Sequence, residues 1–364
     1  MKSLFDPTTL AGMQLKNRFI RSATHDGVAD ASGHMTDALL QIYENLAKGG
    51  VGAMITGLAY VSDLEQPITG QMGIYDDSFI DDYKGLTETV HRYDAKIILQ
   101  IACMGSQTFP AHGKIMWGPS AVEDLFYKTT PQEMSVEDIR LAQRAFADAA
   151  LRAKQAGFDG VQIHGAHGYL LSKFLTPHYN RRTDGYGGGI ENRSRMVIET
   201  YQAIREKVGP EYPVLTKING DDFMDQGMTF SESRYVCERL AELGIDAIEI
   251  SGGLGSSRPN EGTVRTITTE QESYFRSYAA QVAEEIDVPV ILVGGNRNVA
   301  ALTDLINQTA IEYISLCRPL IRESDLVNRW QSGDVTSPLC VSCNKCFRRG
   351  GTVCVFHRKK KGLS

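Results

Sequence analysis

From residue 159 to 195 the chain reads DGVQIHGAHGYLLSKFLTPHYNRRTDGYGGGIENRSR. The stretch Asp159–Gly165 alternates like a strand leaving an apolar core, and His164, His167 and Tyr169 follow within one short turn. Two imidazoles and a phenol at a strand mouth suit hydrogen-bond donation and proton transfer to a reacting group. Two imidazoles could instead ligate the metal of a barrel hydrolase, although no third ligand is evident near them. A lone histidine here would read as packing. Two histidines and a tyrosine, ahead of a loop dense in Arg, Asp, Tyr and Gly, favour chemistry.

Eight short apolar runs could position such a site, near Phe19–Ala23, Ala53–Gly57, Ile97–Ile101, Gly160–His164, Val214–Ile218, Ala247–Ser251, Val290–Val293 and Tyr313–Leu316. Amphipathic stretches separate them, among them Asp138–Gln155, Glu191–Lys207 and Glu270–Glu285, the last with Thr269 and Glu272 as an expected capping box. Strict β/α alternation implies a parallel sheet, and eight repeats imply a closed TIM (β/α)8 barrel over residues 1–335 with a Cys-rich C-terminal extension over 336–364. A doubly wound sheet is the alternative, but no G-x-G-x-x-G follows the first strand. The segment from Ala102 to Met134 is too long for a plain βα loop and is expected to form a lid, with Trp117, Phe126 and Tyr127 shaping specificity.

Active sites of such barrels lie at the C-terminal ends of the strands. Those ends carry small residues and a polar tip at Ala23-Thr24-His25, a backbone approach at Gly57, an amide at Gln100 and a lysine at Lys217. Strand six ends in Gly252-Gly253, strand seven in Gly294-Gly295-Asn296, and Arg318 follows strand eight. A lysine inside a buried strand costs several kcal/mol unless it meets an anion. Glycine amides and an arginine after strands seven and eight are the parts from which barrel phosphate sites are made.

The segment HGAHGYLLSKFLTPHYNRRTDGYGGGIENRSR resembles the signature of the Old Yellow Enzyme family, FMN-binding TIM barrels with the pattern H-x-x-H-x-Y, then T-P, N-x-R-x-D-x-Y-G-G and E-N-R. The resemblance implies FMN contacts at the strand tips named above, with Lys217 beside flavin N1 and O2 and Gln100 on its pyrimidine edge. It implies that His164 and His167 hold a ligand carbonyl while Tyr169 protonates the α-carbon. NADH or NADPH would be the reductant. His25 departs from the usual Thr or Cys and is similar to the 2,4-dienoyl-CoA reductase branch. Cys103, Gly105 and Ser106 replace the family's x-x-H-x-G-R, which alters the substrate mouth. The activity implied is reduction of the C=C bond of α,β-unsaturated carbonyl compounds. The alternative is a flavin/iron–sulfur dehydrogenase of amine or enoyl-thioester type, exchanging electrons with a separate partner.

Four of the seven cysteines close the chain, Cys340, Cys343, Cys346 and Cys354. Their first spacings resemble the [4Fe–4S] site of trimethylamine dehydrogenase, and thiolates so spaced could hold a cluster, zinc or nothing. No second nucleotide domain follows in this sequence. A cluster would then need a separate redox partner, expected to dock near the basic pair Arg348-Arg349.

The 364 residues are 42% hydrophobic with a net charge of -6, which leaves room for a large core and argues against nucleic acid. The basic stretch His357–Lys361 reads as a solvated tail. No run of 18 apolar residues exists, so no membrane partner is expected. The N-terminal stretch lacks a signal-peptide core, pointing to the cytoplasm and to cysteines as thiols or ligands. A small-molecule substrate and a homo-oligomer are expected.

Overall fold

The structure is a computed structural model that describes residues 1–347 and 350–360, with side chains described up to 357. Arg348-Arg349 and Lys361 therefore lie outside the described residues, as do the side chains of 358–360.

Eight parallel strands form the centre: β1 (Phe19–Arg21), β2 (Ala53–Ile55), β3 (Lys96–Ala102), β4 (Gly160–Gly165), β5 (Val214–Asn219), β6 (Ala247–Ser251), β7 (Val290–Leu292) and β8 (Tyr313–Leu316). Each pairs with the next, β8 pairs with β1, and the register Gln162↔Gln100 places β4 beside β3 within the ring. The barrel is closed and has no edge. Strands such as VLTKIN of β5 are buried along their whole length, as a parallel sheet covered by helices requires.

The covering helices are α1 (Asp37–Lys48), α2 (Ser78–His91), α3 (Val136–Gln155), α4 (Arg195–Val208), α5 (Phe230–Glu242), α6 (Arg276–Glu285), α7 (Val299–Gln308) and α8 (Leu326–Gln331). Several start where a side chain satisfies the first free amides. Thr36 caps α1, and reciprocal capping boxes start α3 (Ser135 with Asp138) and α5 (Thr229 with Glu232). Among the described residues no helix is long and apolar enough to cross a membrane.

Three expectations need correction. The box expected at Thr269 and Glu272 sits one residue earlier, Thr268 with Gln271, and closes a single 3-10 turn (Thr269–Gln271). The helix expected from Glu270 begins only at Arg276. The helix expected over Glu191–Lys207 is interrupted at Ser194, between Ile190–Arg193 and α4.

A feature absent from the sequence reading is a hairpin ahead of the barrel, Thr8–Leu10 against Met13–Leu15. Ala11 and Gly12 turn with φ of 49° and 80°, the left-handed pair of a two-residue hairpin loop. Leu10, Met13 and Leu15 pack on Ile20, Ile98 and Leu215 inside the strand ring, closing the N-terminal end of the barrel. The C-terminal end is left for a ligand.

Across that end runs the Cys-rich segment. Trp330 Nε1 donates to the Thr336 carbonyl at 3.0 Å, and the Thr352 amide donates to the Asp26 carbonyl at 2.8 Å, laying the segment over the β1 and β8 tips. The lid segment holds a two-residue parallel pair, Trp117–Gly118 with Gln132–Glu133. It is fastened below by a buried ion pair between Lys173 and Asp124. Trp117 belongs to the main apolar core and does not line the cavity described next, which corrects its expected part in specificity.

Candidate active site

One cavity opens at the C-terminal end of the barrel. After β1 it is lined by Ala23, Thr24 and His25, from β3 and β5 by Gln100 and Lys217, and from the end of β4 and the turn after it by His164, His167 and Tyr169. After β7 it meets Gly294, Gly295 and Asn296, and after β8 Arg318. Gly57, Gly252 and Gly253 fall outside the lining. Gly57 is packed behind Thr24, whose carbonyl would lie 2.8 Å from an added Cβ. Gly252 abuts Phe275 and Phe223, and left-handed Gly253 abuts the chain at Glu261 and Gly262.

The aromatic trio is compact. The ring centres of His164 and Tyr169 are 4.6 Å apart, and those of His164 and His167 are 5.2 Å apart and perpendicular. His167 takes left-handed backbone, φ 65°, held by the Asn219 side chain, which accepts from its amide at 3.2 Å. Its Nε2 pairs with Ser251 Oγ at 2.7 Å. His164 Nδ1 is buried without a hydrogen-bond partner among the described residues.

Burial, followed by the charge of Lys217, pushes His167 down to about 3. Burial, then His167 and Lys217, hold His164 well below the usual imidazole range. Burial, then Tyr127 of the lid, raises the Tyr169 phenol above its ordinary value. At neutral pH the site therefore holds two neutral imidazoles and one protonated phenol, all able to donate.

Lys217 does meet an anion. Its Nζ lies 3.1 Å from Glu249 Oε2 and donates to Ser22 Oγ at 2.8 Å, and Ser22 Oγ donates to Glu249 Oε1 at 2.7 Å. The chain continues through Gln162 Nε2, which donates to Glu249 Oε2 at 2.8 Å, and Gln100 Nε2, which donates to Gln162 Oε1 at 2.8 Å. The Gln100 oxygen and its second N–H remain for a ligand. Glu249 and Gln162 escaped the sequence reading. The signal available was a lone carboxylate inside the apolar run AIEIS.

At the far end Gly294 and Gly295 have φ of 114° and 78°, and a Cβ on either would come within 2.7 Å of a neighbouring side chain. Only glycine allows that turn. Asn296 is committed to the scaffold, since its Nδ2 donates to the Leu292 carbonyl at 2.9 Å and the Ser315 carbonyl at 3.0 Å. Arg318 donates to the Arg265 carbonyl at 2.7 Å, and Arg297 lines the cavity beside it. Neither guanidinium has a carboxylate within ion-pair distance among the described residues. The lining contains Lys217, Arg297 and Arg318 and no Asp or Glu. Lys217 is matched by Glu249 behind the lining, whereas Arg297 and Arg318 are not matched, and such a pair of cations calls for an anionic ligand.

The four C-terminal cysteines form no disulfide among the described residues, and Cys346 and Cys354 are buried. Burial, then Cys340, Cys317, Cys354 and Cys343, push Cys346 up to about 11. Among the described residues, however, no three Cys, His, Asp or Glu side chains converge as a metal set.

Fold and cavity together define the class: a (β/α)8 barrel whose catalytic end is built for an anionic cofactor. The chain belongs to the NADH:flavin oxidoreductase / NADH oxidase family, whose family model matches residues 3–336. It is 31% identical over 346 residues to an NADH oxidase of Thermoanaerobacter brockii, covering 94% of this chain and 53% of the relative. It is 30% identical over 321 residues to an NADPH dehydrogenase of Bacillus pumilus, covering 88% of this chain and 91% of the relative. Among solved structures it is similar to a 2-naphthoyl-CoA reductase in complex with 2-naphthoyl-CoA, with TM-score 0.87, 26% identity, and coverage of 94% of this chain and 54% of that one. The chain thus spans about half the length of the NADH oxidase and of the naphthoyl-CoA reductase. The cofactor of the family is FMN. The residues fit it, since the paired cations at the Gly294-Gly295 turn suit its phosphate and Gln100 with Lys217 suit its polar ring edge.

Proposed function

We propose that the protein is an FMN-dependent, NAD(P)H-driven reductase of the C=C bond in α,β-unsaturated carbonyl compounds. The observation that carries the reading is the convergence of His164, His167 and Tyr169 on one cavity, with the His164 ring centre 4.6 Å from that of Tyr169 and 5.2 Å from that of His167. Neutral His164 and His167 beside a phenol held protonated provide two donors for one oxygen and a weak acid for one carbon.

Bound FMN supplies the hydride. His164 and His167 orient the substrate carbonyl and stabilise the negative charge that grows on its oxygen. Tyr169 delivers the proton to the α-carbon, and its high pKa keeps that proton in place until the carbon becomes basic. Gln100 and Lys217 would hold the polar edge of the cofactor ring, and Lys217 would offset charge that accumulates there. Arg297, Arg318 and the turn at Gly294-Gly295 would hold the phosphate. Cationic amines are a poorer match, because the lining offers them positive charge and no carboxylate.

The reading is tested by identifying the flavin released on denaturation and by following NAD(P)H consumption with and without 2-cyclohexenone under nitrogen. Enone-dependent consumption with cyclohexanone as product is expected. A protein that neither carries nor takes up FMN would overturn it.

A further inference from the structure

The Cys-rich segment bears directly on the proposed phosphate end, and its polar side chains are spent on the two arginines there. Arg297 Nη2 donates to Ser342 Oγ and lies 3.7 Å from Cys340 Sγ. Arg318 Nη1 donates to Asn344 Oδ1, and Asn344 Nδ2 in turn donates to Thr266 Oγ1 at 3.4 Å. Phe347, from the same segment, lines the cavity. Thr352 Oγ1 donates to the His25 carbonyl at 2.5 Å, fastening the far end of the segment to the β1 tip. Ser342 and Asn344, both within the C-x2-C-x2-C run, take left-handed backbone, φ 52° and 57°.

We propose that this segment is the fourth wall of the cofactor site, with Ser342 and Asn344 as positioning residues that aim Arg297 and Arg318 at the cofactor phosphate. The inference rests on the FMN reading above and deepens it. A guanidinium has five donors. Each arginine gives one nitrogen to the segment, Arg318 also reaches the Arg265 carbonyl and Tyr274, and further N–H groups of both remain for an anion. Both segment acceptors are neutral oxygens, so they orient the cations without cancelling their charge. A carboxylate at either place would pair with the arginine and compete with the phosphate. The stretch that reads in sequence as an appended metal-binding tail is, on this view, part of the flavin site.

The test uses the full chain and two probes, FMN and riboflavin, which differ by the phosphate alone. Ser342→Gly and Asn344→Gly remove the side chains while still permitting the left-handed backbone. Each is expected to weaken FMN by about tenfold, the cost of misaligning a charged hydrogen bond, with riboflavin affinity within about twofold of the parent. Asn344→Asp keeps the oxygen at Arg318 and adds a charge, so it should weaken FMN further and again spare riboflavin. It also covers the case in which a glycine variant fails to fold. An unchanged FMN affinity in the variants, or an equal loss for both probes, overturns the proposal. A parent protein that binds riboflavin as tightly as FMN overturns it too. A parent that binds neither refutes the functional reading itself, and this inference with it.

Discussion

Lys217 and Glu249 face each other at paired register positions of β5 and β6, with Nζ 3.1 Å from Oε2, and both side chains are buried inside the barrel. The pair explains how a lysine survives in the middle of a strand, and it sets how much positive charge the cofactor ring meets. Glu249→Gln keeps a similar shape but removes the counter-charge, so the reduced, anionic flavin should be favoured. The midpoint potential is expected to rise by tens of millivolts, where about 30 mV corresponds to about 1.4 kcal/mol for two electrons. Dye-coupled reductive titration measures it. An unchanged or lower potential would separate Glu249 from the electronics of the site.

Removing the other partner should act on stability. Lys217→Ala strands a buried carboxylate, and breaking such a pair costs about 3–5 kcal/mol. The urea midpoint should fall accordingly, and Glu249→Gln in the same background should restore part of the loss. Additive losses in the double variant would show that the two residues do not act as a pair.

Tyr169→Phe removes the proton source and leaves the cofactor contacts in place. Enone reduction should slow by about 10²–10⁴-fold, the usual worth of a positioned acid, while reduction of the flavin by NAD(P)H proceeds at the parent rate. Stopped-flow measurement of the two half-reactions separates them. Full turnover on an enone by the Phe variant would remove Tyr169 from the mechanism.

The histidines predict a pH signature. His167 has a folded pKa of about 3 against an ordinary 6.5. The unfolded chain therefore binds the extra proton first as pH falls, so the stability linked to this group is complete above 6.5 and is lost between about 6.5 and about 3. His167→Asn should flatten the fall in urea midpoint between pH 7.5 and pH 5. Over the same range the parent's kcat/KM should show no imidazole titration. A clear inflection near pH 6.5 that disappears in His164→Asn or His167→Asn would contradict neutral imidazoles.

Glu65 behaves in the opposite sense. Its buried carboxylate accepts from the amides of Met104 and Gly105 at 2.9 and 3.0 Å, where the lid leaves β3, and burial raises it to about 7 despite those bonds. With the folded pKa above the unfolded one, its contribution is full below about 4.5 and is lost as pH rises through about 7. Glu65→Gln should gain on the parent in urea midpoint from pH 6 to pH 8. Parallel pH profiles for the two proteins would rule this out.

The positions of the eight strands could be read in advance because each is an apolar run between turn residues, and Ala247–Ser251 and Tyr313–Leu316 have the bounds expected. The N-terminal hairpin could not be read. Its strands are three residues long and its turn is Ala-Gly, without the usual Asn-Gly signal. The capping box differs from expectation because Thr268-Thr269 and Gln271-Glu272 offer two registers one residue apart, and the first is the one formed. At the site, the residues on one strand tip, His164 to Tyr169, were legible together because they are local. Glu249 lies on the next strand from Lys217, and no local pattern links them. The contacts of Arg297 with Ser342 and of Arg318 with Asn344 join distant stretches of chain, and nothing in either stretch signals the other.

The most direct test of the central claim is a single turnover under nitrogen with isotopic labels. Enzyme reduced by NAD(P)H deuterated at the transferable position is mixed with 2-cyclohexenone in ordinary water, and the experiment is repeated with unlabelled reductant in deuterium oxide. The account predicts reoxidation of the flavin by the enone. Deuterium should appear at the β-carbon in the first experiment and at the α-carbon in the second, and Tyr169→Phe should suppress the reoxidation. Flavin that stays reduced until air is admitted, or a saturated ketone without label at the β-carbon, would contradict it.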